Sequence, residues 1–403
     1  MPMGKGFAIT SDLNLAPLLL AGYARHTRRH PSSDTSPRSK RRRLGPLPRL
    51  KIAAITNDTV ATLASMAYSV KSLPNSRVAA GIIVGTGCNA TIPMKLTDLA
   101  ESKAKGIMAR NPKATETVVN TEITISGACG PLEPVTTKWD RQLDAACARP
   151  GFQPLEYMTG GRYVGELVRT VFFDYMTTTH SPPIPSSSLP ATIVHSYSFS
   201  TTFVSAVVAR ARSDGELAGE LKKRIPPPES SNWAWSPHSA GALRKIANLV
   251  QIRSAGLIAA ATVGLLATVG EIALPDPSAP SSCPEPDDKD KVVINGHSAS
   301  STTDTIPTAL PHRRTRDGLS PAPGVTAWRS GPEELVIAYT GGIIQHYPNF
   351  KEQCQRFIDR LVMRAGPQDG GKSVFLREAR DGGIIGAGVL AGMETARVAP
   401  VHG

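Results

Sequence analysis

The apolar positions of this chain fall into short blocks separated by polar, glycine-rich or proline-rich segments. Two blocks are nearly all apolar and of strand length, Ile52-Ala-Ala-Ile-Thr and Val78-Ala-Ala-Gly-Ile-Ile-Val. Such runs suit strands covered on both faces. The first delivers Asn57-Asp58-Thr59 and then Val60–Val70, whose apolar spacing is helical; the second delivers Gly85-Thr86-Gly87-Cys88-Asn89. A further strand is predicted at Val118–Glu122, and an ordered stretch from Glu334 through Gly341-Gly342 to Tyr347-Pro-Asn-Phe350. Helices are predicted over Leu13–Tyr23, Gly165–Phe173 and Leu243–Thr268, with shorter ones near Thr202–Ala211 and Leu217–Arg224. The sixteen residues Ala255–Gly270 form the longest apolar run. They fall short of a membrane span, are rich in Ala and Gly, and read as a buried helix.

Between these blocks lie three connections. Residues 24–50 read as a basic disordered loop, residues 95–115 as a polar, Lys-rich link, and residues 275–332 as a disordered insertion rich in Pro, Ser and Asp. Charge is uneven in the same way. The net charge is +12, but between Tyr23 and Lys51 ten Lys/Arg face one acid, Asp34, so that window supplies +9 of it. The basic character is therefore local. Lys40–Arg43 fits a nuclear-import signal or a weak nucleic-acid tether, and equally a solvated loop. With no interleaved aromatics, sequence-specific base reading has little support.

At 403 residues, 40% hydrophobic and 19% charged, the chain is large enough to bury a substantial core. Its five cysteines (Cys88, Cys129, Cys147, Cys283, Cys354) lack zinc spacing, and an odd, dispersed set reads as free thiols in a reducing compartment. No metal site and no secretory signal is predicted, and the expected location is cytoplasmic, with a nuclear alternative through the basic loop.

The candidate chemistry sits where the apolar blocks end. Polar groups at strand carboxyl ends lie where open sheets bind ligands. Gly85 and Gly87 let the chain turn tightly, so that backbone N–H groups and the Thr86 hydroxyl can point at phosphate oxygens. Asn57-Asp58 can cap the following helix or hold a reactive carboxylate. Asn120-Thr121-Glu122 ends a strand. Glu156 opens a segment, Leu155-Glu-Tyr-Met-Thr-Gly-Gly-Arg-Tyr-Val-Gly-Glu-Leu-Val-Arg169, and would suit a helix dipole as readily as a ligand.

In this order, with Lys5-Gly6-Phe7 ahead of them and Arg380-Asp-Gly-Gly-Ile-Ile-Gly-Ala-Gly388 behind, these stretches resemble the sugar-kinase core of the hexokinase family. The resemblance covers most of residues 4–392 apart from the inserts. It implies an α/β chain of the actin-like ATPase (ribonuclease H-like) fold, with a mixed sheet and helices on both faces. Residues 1–23 would be a remnant of the lobe-connecting segment. Residues 51–274 and 333–396 would form two parts of the large lobe, the second carrying the adenosine site, with the small lobe mostly missing.

By the same resemblance, Asp58 is the general base, Asn57, Asn89, Glu122 and Glu156 bind the hydroxyls of a hexose such as glucose, and Asn120-Thr121-Glu122 matches the family's Asn-x-Glu sugar-contact element. Gly85, Thr86 and Gly87 would hold phosphate oxygens of ATP, with Mg²⁺ arriving on the nucleotide. Gly341, Gly342, Gly386 and Gly388 would let the backbone approach adenosine. The chain departs from the family at Ile123-Thr124, where an aromatic and a glycine are usual, at Ile343 and at Ile384-Ile385. No Asp-Leu-Gly-Gly phosphate hairpin occurs in the 403 residues. In these respects it resembles an N-terminally truncated, atypical fungal-type hexokinase. Two readings follow: an ATP-dependent hexose phosphotransferase, or a catalytically inactive, sugar- or partner-binding regulator.

Overall fold

Ser76–Val84 (β1) is the strand on which the others assemble, and the reason is its side chains. Ala79, Ala80, Ile82 and Val84 are all buried, so β1 must be covered on both faces and paired on both edges. In the computed structural model, which describes residues 14–27, 48–70, 75–125, 130–275 and 333–398, it is. Cys88–Lys95 (β2) pairs antiparallel on one edge and Glu334–Thr340 (β4) parallel on the other. Glu116–Asn120 (β3) adds antiparallel to β2, and Ser373–Glu378 (β5) parallel to β4, giving the order β3-β2-β1-β4-β5. Three antiparallel strands followed by two parallel ones make the mixed sheet of the actin-like ATPase fold.

Thirteen α-helices occur among the described residues. In chain order they are Leu15–Thr27 (α1), Asp58–Val70 (α2), Glu101–Arg110 (α3), Lys138–Ala145 (α4), Pro154–Thr159 (α5), Gly161–Asp174 (α6) and Ala191–Val194 (α7). There follow Thr201–Phe203 (α8), Asp214–Arg224 (α9), Pro237–Thr268 (α10), Gly342–His346 (α11), Phe350–Arg364 (α12) and Gly382–Val398 (α13). Alternation along β4 shows how they divide. Val336 and Ala338 pack with Met66 and Val70 of α2 and with Ala379, whereas Leu335 and Ile337 join the larger core. That core holds Phe172 of α6, Leu243 and Ile258 of α10, and Phe350 and Ile358 of α12. Helices therefore cover both faces.

The long helix α10 is apolar and long enough to cross a membrane by length and composition, yet Leu243, Ala247, Ile258, Ala259 and Leu266 are buried inside the protein. It starts six residues before the sequence pattern suggests. Ser236 and Ser239 cap each other's backbone N–H groups around Pro237, a capping box that extends the helix N-terminally. Among the described cysteines, Cys147 and Cys354 are free; burial, with a smaller contribution from Cys88, pushes the Cys354 thiol up to about 12.

One expected strand is absent. Residues 51–57 run as unpaired chain with Ile55 53% exposed, so Ile52–Thr56 is no part of the sheet. Both edges of β1 are taken, by β2 and β4, so this run does not join β1 as an apolar neighbour. The β3 strand also ends early, at Asn120, because Glu122 takes a left-handed conformation (φ 49°). Lys5-Gly6-Phe7, the basic run Lys40–Arg43 and residues 276–332 lie outside the described residues.

A buried ion pair ties the helical layer together. Arg253 on α10 donates from both terminal nitrogens to Asp140 Oδ1 and Oδ2, each at 2.7 Å, and Asp140 also completes the capping box with Thr137. Burial alone would raise the Asp140 carboxyl. The hydrogen bonds and charge of Arg253, with the side-chain and backbone hydrogen bonds of Thr137, outweigh it and hold the group below its usual range. Replacing Arg253 by methionine leaves a buried, uncompensated carboxylate and should cost about 3 kcal/mol at pH 7. Because the folded value is depressed, this stabilisation is full above the ordinary Asp value of about 4 and is lost as pH falls through the folded one. Urea unfolding at pH 7 and pH 3 checks the sign: wild type and Arg253→Met should differ by less at pH 3.

Candidate active site

The site begins at the first turn of α2. Asn57 Oδ1 accepts from the Thr59 N–H at 2.9 Å and from the Thr59 hydroxyl, so Asn57 caps the helix. Asp58 stands at the helix N-terminus, where the dipole favours a carboxylate. Its Oδ1 shares the Thr59 N–H at 2.9 Å, and no bond among the described residues occupies Oδ2. The Thr59 hydroxyl lies 2.6 Å from that of Thr91 in the middle of β2. This contact docks the start of α2 on the sheet. Gly81, paired with Thr91 across the ladder, makes room for it: a Cβ there would stand 2.9 Å from the Thr59 carbonyl oxygen.

From Thr91 the alternation of side chains decides what else faces α2. Asn89, two residues back on β2, shares the Thr91 face, as does Asn120, the cross-strand partner of Thr91. Their amides meet. Asn89 Nδ2 donates to Asn120 Oδ1 at 2.8 Å and to Glu122 Oε1 at 3.2 Å, and Asn120 Nδ2 donates to the same Glu122 oxygen at 2.8 Å. Glu156 approaches from α5. It is 1% exposed, and its Oε2 accepts from the Cys88 N–H at 3.4 Å, one residue from Asn89. Five of the residues singled out from sequence (Asn57, Asp58, Asn89, Glu122 and Glu156) are thus linked, directly or through one neighbour, to the first half of β2.

Gly85-Thr86-Gly87 is the three-residue turn between β1 and β2, closed by the Gly85 N–H on Gly87 O at 2.9 Å. Its carbonyls are spent on α6: Gly161 N–H donates to Gly85 O at 2.8 Å and Arg162 N–H to Thr86 O at 3.0 Å. Of the polar groups in the turn, the Thr86 and Gly87 N–H groups and the exposed Thr86 hydroxyl are left unconsumed by bonds among the described residues. Those three are donors, and donors fit phosphate oxygens. No group of three or more His, Cys, Asp or Glu that could hold a metal ion occurs among the described residues.

The remaining glycines divide by what surrounds them. Gly341 (φ 118°) sits against β1, where a Cβ would lie 2.5 Å from the Val84 carbonyl oxygen, so the β4–α11 turn adjoins the phosphate-type turn. Gly342 has open space around it. Gly386 lies at the crossing of α13 and α2, where a Cβ would stand 1.8 Å from Ala61 O, and Gly388 faces nothing within 4 Å. Packing of two helices therefore accounts for Gly386. Two site members were not singled out from sequence, Thr59 and Thr91; Asn120 was read only as the first residue of the Asn-x-Glu element. The pairing of Thr59 with Thr91 joins residues 32 apart, and no local pattern announces it.

With this geometry in hand, the comparisons with known proteins are direct. The family model described as Hexokinase matches residues 79–393, and the chain belongs to the hexokinase family. Hexokinase-2 of Solanum tuberosum is 25% identical over 343 residues, covering 85% of this chain and 53% of that protein. The hexokinase of Schistosoma mansoni is 38% identical over a shorter 122 residues, 30% of this chain and 24% of that one. Among solved structures, the Schistosoma mansoni hexokinase complexed with glucose superposes with a TM-score of 0.55 at 22% identity, over 84% of this chain and 57% of that chain. That likeness concerns the fold. The chain spans about half the length of the curated relatives it matches.

Proposed function

We propose that this chain provides the sugar-binding and proton-accepting part of an ATP-dependent hexose phosphotransferase, with the glucose 6-hydroxyl as acceptor. The observation that carries this reading is the convergence of Asn57-Asp58, Asn89, Glu122 and Glu156 on the start of β2, in a chain of the hexokinase family. Asp58 Oδ2, at a helix terminus and without a bond among the described residues, accepts the proton of the attacking hydroxyl. Asn57, Asn89, Glu122 and Glu156 offer the acceptors and donors that orient the other hydroxyls. When bound, ATP with Mg²⁺ supplies the phosphoryl group. Thr86 and the Gly87 N–H would hold its oxygens, and the Gly341-Gly342 turn, set against Val84, would flank the adenosine.

An enzyme-linked assay for ADP, run on the full 403-residue chain with MgATP and glucose, tests the reading. Glucose-dependent ADP formation is expected. A glucose-induced rise in melting temperature without ADP would instead make the chain a sugar-binding regulator, and neither response would overturn both.

A further inference from the structure

Asn120 is placed where two of the proposed sugar contacts depend on it. Antiparallel pairing of β2 and β3 sets it across from Thr91, diagonal to Asn89 and two residues before Glu122. Its amide is used at both ends. Oδ1 accepts from Asn89 Nδ2 and Nδ2 donates to Glu122 Oε1, both at 2.8 Å. Asn89 in turn uses one lone pair of its amide oxygen on the Ala90 N–H at 2.8 Å and both its Nδ2 hydrogens on Asn120 and Glu122, which leaves the second lone pair of Oδ1 for a sugar hydroxyl. Two amide donors therefore fix Glu122 Oε1, while no bond among the described residues occupies Oε2. Glu122 needs such fixing. Its left-handed backbone is unfavourable for a residue with a side chain of this size, and a carboxylate at a strand end has rotamers to spare.

We propose that Asn120 is a positioning residue for the sugar site. It locks Asn89 and Glu122 into one rigid unit, so that Glu122 Oε2 is presented as an acceptor to a hydroxyl of the bound hexose before the hexose arrives. The gain is preorganisation: rotamers already fixed are not paid for on binding. Asn120 acts through its neighbours and does not itself contact the sugar. The proposal rests on the sugar-binding reading above, but it makes one claim about the sugar-free protein that stands apart from it.

The test uses the full chain, D-glucose as the probe and titration calorimetry. Asn120→Ala should weaken glucose binding by about 10- to 100-fold, the range expected for losing a hydrogen bond to a charged group. Asn120→Asp keeps the size and the acceptor for Asn89 but removes the donor to Glu122. It should weaken binding at least as much, with an unchanged melting temperature. In a Glu122→Gln background Asn120→Ala should add less than about 3-fold, because the group it positions is gone; in an Asn57→Ala background it should keep its full effect. An equal loss in both backgrounds, or wild-type affinity in Asn120→Asp, overturns the proposal.

If the wild-type protein binds no glucose, the sugar-binding reading fails, and the positioning claim is judged without sugar. With ¹⁵N-asparagine labelling, Asn120→Ala should shift the Asn89 side-chain amide resonances. An unmoved pair overturns the proposal.

Discussion

Replacing Asp58 with alanine is expected to lower glucose-dependent ADP formation by about 100- to 10,000-fold, the usual contribution of a positioned general base. Stability should hardly change. Asn57 still caps α2 through Thr59, so the variant loses only a carboxylate at a helix terminus, worth about 0.3–1 kcal/mol. The ratio of the two effects is what identifies a base: a residue needed only for folding would lose stability and activity together. Asp58→Asn sharpens the comparison, since the amide keeps the shape and an acceptor oxygen but cannot take the proton. If Asp58→Asn retains more than about a tenth of the wild-type rate, proton acceptance belongs elsewhere.

The second large effect concerns Gly386 and Gly388, which the sequence presents as equivalent members of one glycine-rich turn. The structure separates them. A Cβ on Gly386 would lie 1.8 Å from Ala61 O and 2.7 Å from Ala61 Cα. That obstacle is the backbone of α2, which cannot rotate aside as a long side chain could. Gly386→Ala must therefore push α13 off α2 and should cost about 3 kcal/mol, the upper part of the range for overpacking. Gly388 is helical and has nothing within 4 Å, so Gly388→Ala should gain up to about 1 kcal/mol from helix propensity. Urea unfolding of the two variants reads the difference directly. Equal and small effects would mean that α13 does not sit on α2 as described.

These two cases show what the sequence could and could not disclose. The strand Val78–Val84 with its glycine turn and the helix after Asp58 were legible, because a contiguous apolar block with a glycine turn or a capping Asn leaves few alternatives, whereas the return strand Cys88–Lys95 was not singled out. Residues 52–56 carried the same composition and misled, because composition does not say which strands pair, and the neighbours of β1 are β2 and β4. Glycine letters do not say whether a ligand or another helix approaches; Gly386 needs the space for Ala61. Glu156 could be read as a dipole partner of a helix start, whereas it is buried and turned to the Cys88 N–H. Asn120 was legible only as the first residue of an Asn-x-Glu element, with no hint of what its amide holds. Its bonds to Asn89 and Glu122 depend on the register of β2 against β3, and that register appears only when the strands pair.

The most direct measurement of the account is a structure of the full chain with D-glucose. The account predicts the sugar at the start of β2, with the 6-hydroxyl within hydrogen-bond reach of Asp58 and the ring hydroxyls on Asn89, Glu122 and Glu156. Glucose bound elsewhere, or a sugar oriented with its 6-hydroxyl away from Asp58, would contradict it.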